Sequence, residues 1–448
     1  MNILLDIIPK NDIISSVELV YLYICNIISI RKRGEKLLEL ALNKKTANPK
    51  YKDLLFIMLI FGVFLRFAIG VGYYNPQDTL WYKEWALGLN DGLFSIYSKA
   101  HIIDLDYPPI YLFFLRLTGM AYEAFGESVH PYLDMFIMKF WPIVGDVLCG
   151  LVIYLVLKRK SQKTALVASA FWIFNPSAIF NSSFWGQTDS IMCMLLLLSF
   201  VFLNEKPILA SVVFALAGMT KFQCLFFTPV FLGELFVKFR LSKFLKGVGA
   251  AAVTVALVFL PFMIGSENPL LFFDVYLYGQ GRYPYCTLNA YNIYGLFGLN
   301  WIQDSFGFIS LNTFSMLLIV LSIAGIIATY IFAKRTSVWV MGFLFMNTLF
   351  MFMTRMHERY QFVVLIFILM AAIVHKSRSF FYIFMGMSFI TFINQLIPMF
   401  SWRSDNSFFG NYYGELMVIF SAVNIILYIL SAYFCLKFLF SSKSIESN

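Results

Sequence analysis

Apolar runs of membrane-crossing character recur along almost the whole chain, at about residues 53–73, 134–157, 164–181, 188–203, 207–220, 222–237, 246–263, 308–333, 337–354, 360–375, 379–399 and 414–438. A crossing helix needs about 20 mostly apolar residues, so a chain of 448 residues built this way holds roughly a dozen and leaves no room for a separate soluble domain. The balance of residue types agrees. With 60% hydrophobic and 13% charged residues and a mean hydropathy of +0.75, there is too little polar surface to cover a soluble fold of this size. The expected class is all-α, a polytopic protein of about 12 transmembrane helices.

Residues 108–126 are also apolar, but Arg116, Glu123 and the following Glu127 suit a helix lying along the interface. Residues 74–133 then form a first outer loop with interfacial helices, and the count stays even. Threaded this way, the clusters Lys158-Arg159-Lys160, Lys238 to Lys246, Lys334-Arg335 and Lys376 to Arg378 all fall on the cytoplasmic side, as the positive-inside rule requires. The net charge of +9 therefore reports orientation, and nucleic acid is not an expected partner. Residues 51–440 make up the membrane domain and 441–448 a cytoplasmic tail. Residues 1–50 form a cytoplasmic or interfacial extension, whose stretch 16–30, apolar apart from Glu18 and followed by Arg31-Lys32-Arg33, reads as an interfacial anchor or a thirteenth span. The first residues, with Asp6 and Asp12, do not read as a cleavable signal peptide. Six scattered cysteines suggest neither a disulfide nor a metal framework, and no internal repeat is visible.

The threading gathers six polar clusters on the outer side: Asp78, Asp106-Tyr107-Pro108-Pro109, Trp185 to Asp189, Lys221, Tyr283 to Asn292, and Arg355 to Tyr360. A carboxylate that has lost part of its water at a bilayer surface is a candidate proton acceptor, so Asp78, with Trp85 seven positions on, and Asp106 are candidate catalytic groups. Each has a structural alternative: Asp106 and Asp78 could cap the helices after them, and Gly186 and Asp189 could simply make a tight turn. Arg355, His357 and Arg359 crowd an outer turn in a protein that keeps its positive charge inside. Either Glu358 balances them or a phosphate does, and Lys221 poses the same choice between snorkelling and an anionic ligand. Tyr283, Tyr285, Asn289 and Asn292 offer the aromatic faces and amides that line carbohydrate sites, and equally an interfacial belt. No Gly-rich phosphate loop or His/Cys metal spacing is present, although Asp78 and Asp106 could share a divalent ion.

In order and on one face, these motifs resemble those of the GT-C superfamily of polytopic glycosyltransferases, over most of the chain from about residue 53. The closest resemblance is to bacterial proteins related to the second GPI-anchor mannosyltransferase, and a more distant one is to the dolichyl-phosphate-glucose glucosyltransferases. The resemblance implies a GT-C fold and transfer of a hexose, mannose first, from a polyprenyl-phosphate carrier to an acceptor glycan or lipid on the outer or lumenal face, with inversion. It implies Asp78 as general base with Asp106 beside it in the catalytic pair, and Arg359, His357, Arg355 and Lys221 at the donor phosphate. Trp85, Tyr107, Trp185, Gln187, Asp189, Tyr283, Tyr285, Asn289, Asn292 and Glu358 would surround the substrates. The implied setting is the bilayer of a bacterial plasma membrane, with the endoplasmic reticulum as the alternative. His357-Glu358-Arg359 departs from the glucosyltransferases, which carry lysine in the third place, so glucose specificity does not transfer. A transporter or flippase of a lipid-linked sugar would use the same cations. Such proteins usually bind near the midplane, where only Arg66 and Asp146 look embedded here.

Overall fold

The computed structural model describes residues 49–73, 77–100, 102–266, 268, 270–305, 310–401 and 408–441. The expected anchor at 16–30, Cys25 and the tail beyond Ser441 lie outside the described residues. Residues 1–55 form one unit and 56–448 another, and the polar clusters singled out above all belong to the second.

The described chain is helical nearly throughout. Helix α1 (Pro49–Gly70) leads into the first loop, which carries α2 (Asp78–Asp91), a 3-10 turn at Ile96–Lys99 and α3 (Pro109–Phe125). Then come α4 (Pro131–Leu157), α5 (Gln162–Ile173), a short helix Pro176–Ile179 opening into a wide π-helical turn Phe180–Trp185, α6 (Asp189–Phe202) and α7 (Pro207–Gly218). A 3-10 segment Phe222–Phe227 precedes α8 (Thr228–Lys238), α9 (Leu241–Ile264) and α10 (Leu271–Gly281). The last five are α11 (Leu311–Phe332), α12 (Val338–Phe352), α13 (Val364–Val374), α14 (Arg378–Ser401) and α15 (Tyr413–Phe440). Proline opens α3, α4 and α7, where its missing N–H costs nothing.

Every expected apolar run holds a helix among the described residues, but the expected number of crossings is not established. Among the described residues six helices, α1, α4, α9, α11, α14 and α15, have the length and composition to cross a membrane alone. The helices at the other six positions hold 11 to 15 residues, at most about 22 Å of rise against a hydrocarbon core of about 30 Å. The reason is visible in α13, where Val364 to Ala372 are all buried. Hydropathy reads burial in protein and burial in lipid alike, whereas α9 and α11, only 17% buried over their apolar windows, present long outward apolar faces. Helix α6 packs between α4 and α7, α7 against α9, α13 between α12 and α14, and α8 against α11.

The embedded pair belongs to this scaffold. Arg66 holds Asp146 at 2.8 Å with both side chains fully buried, and Asp146 also accepts from Trp172 and Ser182, each at 2.8 Å. In the first loop, Gly119 lets α3 approach α2 so closely that a Cβ would stand 2.2 Å from the Ala86 carbonyl. Trp85, Leu89, Tyr97, Tyr111 and Leu115 then join Ile137 and Met138 of α4, Ile191 of α6 and Phe262 of α9 in one hydrophobic cluster.

Candidate active site

Segments from many parts of the chain build one cavity of about 390 Å³ at the ends of α2, α7 and α12. Asp78 is the first residue of α2, where a carboxylate suits the helix dipole; the cap position belongs to Gln77. Its Oδ2 accepts from Trp185 Nε1 at 2.6 Å and Gln187 Nε2 at 2.7 Å. Trp185 ends the π-helical segment and Gln187 lies in the turn that follows it. That turn closes because the Asn181 carbonyl accepts from both Gly186 N and Gln187 N, with Gly186 at φ +85°. Burial keeps the Tyr82 and Tyr107 hydroxyls protonated far above their usual range. Tyr82 donates to Gln187 Oε1 at 3.1 Å, so Tyr107 donates to Tyr82 at 2.8 Å. The chain Tyr107–Tyr82–Gln187 thus ends on Asp78.

Asp106 is not the cap of α3 either. That place is Pro108, and the Asp106 carboxylate meets Arg282 at 3.0 Å. Burial pushes the Asp106 carboxyl up, against the pull of the Arg282 guanidinium. Arg282 also pairs with Asp104 at 3.1 Å and covers the ring of Trp81 at 4.7 Å. Sequence reasoning passed over this residue. The available signal was the one applied to Arg359: a basic residue on the outer side, against the cytoplasmic bias.

The motif at 355–359 is fixed by backbone pairing. Strand β1 (Thr287–Leu288) lies parallel to β2 (Met356–His357), with Thr287 opposite Met356 and Leu288 opposite His357. Arg355 N donates to the Tyr285 carbonyl at 2.9 Å and Glu358 N to that of Leu288 at 3.1 Å. The cations are pre-positioned by carboxylates: Arg359 by Glu358 at 2.8 Å, Arg355 by Asp304 at 2.6 Å, Lys221 by Asp189 at 2.5 Å. Arg359 lies over Trp185 at 5.2 Å, so a single indole gives its N–H to Asp78 and its face to Arg359. Burial, reinforced by the charges of Arg359, Lys221 and Arg282, holds His357 well below the ordinary histidine value, and its imidazole is neutral at pH 7. Burial raises the Glu358 carboxyl and lowers the Lys221 ammonium.

Of the residues picked from sequence, Asp78, Trp85, Asp106, Tyr107, Trp185, Lys221, Tyr283, Asn289, Arg355, His357, Glu358 and Arg359 line the cavity. Gln187 and Asp189 stand behind it, holding Asp78 and Lys221. Asn289, at φ +60°, accepts from Asn300, Trp301 and Tyr413, and Trp85 gives its N–H to the Ile103 carbonyl; both wall positions are occupied by structural bonds. Tyr285 packs on Trp301, and Asn292 caps the short helix Ile293–Leu296, both away from the cavity wall. Among the described residues no three His, Cys, Asp or Glu side chains converge as a metal ligand set. On the side facing α11 the wall turns apolar, with Phe222, Leu225, Phe226, Met316 and Ile319.

No family model matches the chain. The chain is similar to the GPI mannosyltransferase 1 of Dictyostelium discoideum, 29% identical over 161 residues. That stretch is 36% of this chain, and it spans about a third, 34%, of the relative's length. The relative is named as a first mannosyltransferase, where the motifs resembled the second. The similarity to a protein named as a mannosyltransferase thus covers about a third of the chain, and six helices among the described residues are long and apolar enough to cross a membrane.

Proposed function

We propose that this protein is a membrane glycosyltransferase that moves a hexose, mannose first, from a polyprenyl-phosphate carrier to a glycan or glycolipid acceptor at the outer or lumenal face. The observation that carries the reading is the two-sided cavity. A carboxylate clamped by two N–H donors faces a cluster of arginine and lysine, and the wall beyond them is apolar. Asp78 takes the proton of an acceptor hydroxyl as its oxygen attacks the anomeric carbon. The bond from that carbon to the carrier phosphate breaks, and the departing anion is met by Arg359 and Lys221. Arg359 Nε is buried without a hydrogen-bond partner among the described residues, a donor that folding leaves unmet. Attack from the face opposite the leaving phosphate inverts the anomeric centre. The apolar wall suits the first isoprene units of the carrier, and the relative's name makes mannose the first donor to try.

The test is sugar transfer by the purified protein in lipid with polyprenyl-phosphate mannose, glucose and galactose and cell-derived acceptors. The expected result is carrier-dependent transfer with inversion, fastest from mannose. Binding of the carrier without transfer from any donor would overturn the reading in favour of a transporter.

A further inference from the structure

The Asp78 clamp is itself held by a group that the chemistry does not use. Lys139 lies inside α4, 2% exposed. Its ammonium donates to three backbone carbonyls, Gly70 at 2.8 Å, Tyr73 at 2.6 Å and Phe184 at 2.8 Å, and the Tyr73 ring lies 5.5 Å from it. None of the ion pairs among the described residues includes it. Three acceptors call for three donors. A neutral amine would turn its lone pair on one of the carbonyls, so the three acceptors match the donor set of an ammonium. Rings of carbonyls at such distances also hold bare monovalent ions in place of their water.

The three carbonyls matter because of their neighbours along the chain. Gly70 ends α1, where helix carbonyls lack intrahelical donors, and its carbonyl accepts from Tyr73 N at 3.4 Å as well as from Lys139. Tyr73 lies five positions before Asp78, and Phe184 immediately precedes Trp185. The lysine stem fills the space beside the turn: a Cβ on Gly186 would stand 3.1 Å from Lys139 Cγ. We propose that Lys139 is a positioning residue, a tethered cation that pins the end of α1 to the π-helical turn and so sets Trp185 and Gln187 where they can hold Asp78. The inference rests on the reading of Asp78 as the base.

The experiment compares wild type, Lys139→Met and Lys139→Gln in lipid, in ammonium chloride and in choline chloride, reading both thermal unfolding and sugar transfer. Ammonium can enter a three-carbonyl cage and choline is too large. Lys139→Met is expected to lose turnover by the order of a hundredfold at nearly unchanged donor KM, because the clamp and not the cations is displaced. Ammonium should raise its melting temperature and recover part of its turnover, with wild type indifferent to the salt. Lys139→Gln, with two N–H donors, should fall between. Wild-type turnover in Lys139→Met, or a melting temperature equal in the two salts, would overturn the proposal. If Lys139→Met folds in neither salt, wild-type turnover in Lys139→Gln would overturn it equally. A wild type that transfers no sugar sinks the functional reading instead, and the salt-dependent melting still decides the cage.

Discussion

At the scale of single residues, the charges of the cavity are arranged in partnerships, and this decides what each substitution does. Asp106 and Arg282 share one bond network, so Asp106→Asn and Arg282→Gln should each slow turnover less than loss of Asp78. The double variant should be little worse than either single one, as a double-mutant cycle on initial rates would show. His357 makes a prediction with a definite sign. Its folded-state value lies below the ordinary 6.5, so as pH falls through 6.5 the unfolded chain takes up a proton that the folded protein refuses, and stability is lost in acid. Melting temperatures taken from neutral to mildly acidic pH should fall more steeply for wild type than for His357→Gln. The outer histidine and arginines were legible in the sequence because they break the positive-inside pattern. Glu358 was legible as a partner and pairs with Arg359, but the partners of Arg355 and Lys221 were not, since Asp304 stands 51 positions from Arg355 and Asp189 stands 32 from Lys221, and no local pattern links them.

At the scale of elements, the irregular pieces do the positioning. Sequence reasoning placed helices well because apolar runs persist for many turns. It could not foresee that the Trp185 turn leaves a π-helical segment, or that two residues of strand pin the 355–359 motif, because both depend on backbone partners far along the chain. The amides and aromatics at 283–292, read as carbohydrate ligands, are in good part the framework of that pairing. Asn292 accepts from Tyr294 N and Gly295 N and donates to the Phe350 carbonyl. Asn292→Ala should therefore cost about 0.5–2 kcal/mol of stability, seen as a lower melting temperature, with donor KM unchanged.

At the scale of the whole molecule, a helical scaffold with a buried ion pair carries the site on one end. Removing one partner of a buried pair leaves an uncompensated charge and costs about 3–5 kcal/mol, whereas replacing both by apolar groups is often close to neutral. Arg66→Met should thus sharply lower the melting temperature, and the double variant Arg66→Met with Asp146→Leu should recover much of it. The all-α class was plain from the recurrence of apolar runs. The division between six long helices and the shorter buried ones was not, because hydropathy carries no record of what surrounds a helix.

The proposed sugar transfer turns on Asp78 as its base. It is tested most directly by measuring, for wild type and Asp78→Asn side by side in lipid, both polyprenyl-phosphate-mannose binding and acceptor-dependent release of polyprenyl phosphate. Binding should be equal in the two proteins, and turnover should fall about a hundredfold to ten-thousandfold in the variant. Release at the wild-type rate by Asp78→Asn, or no release by wild type with acceptor present, would contradict it.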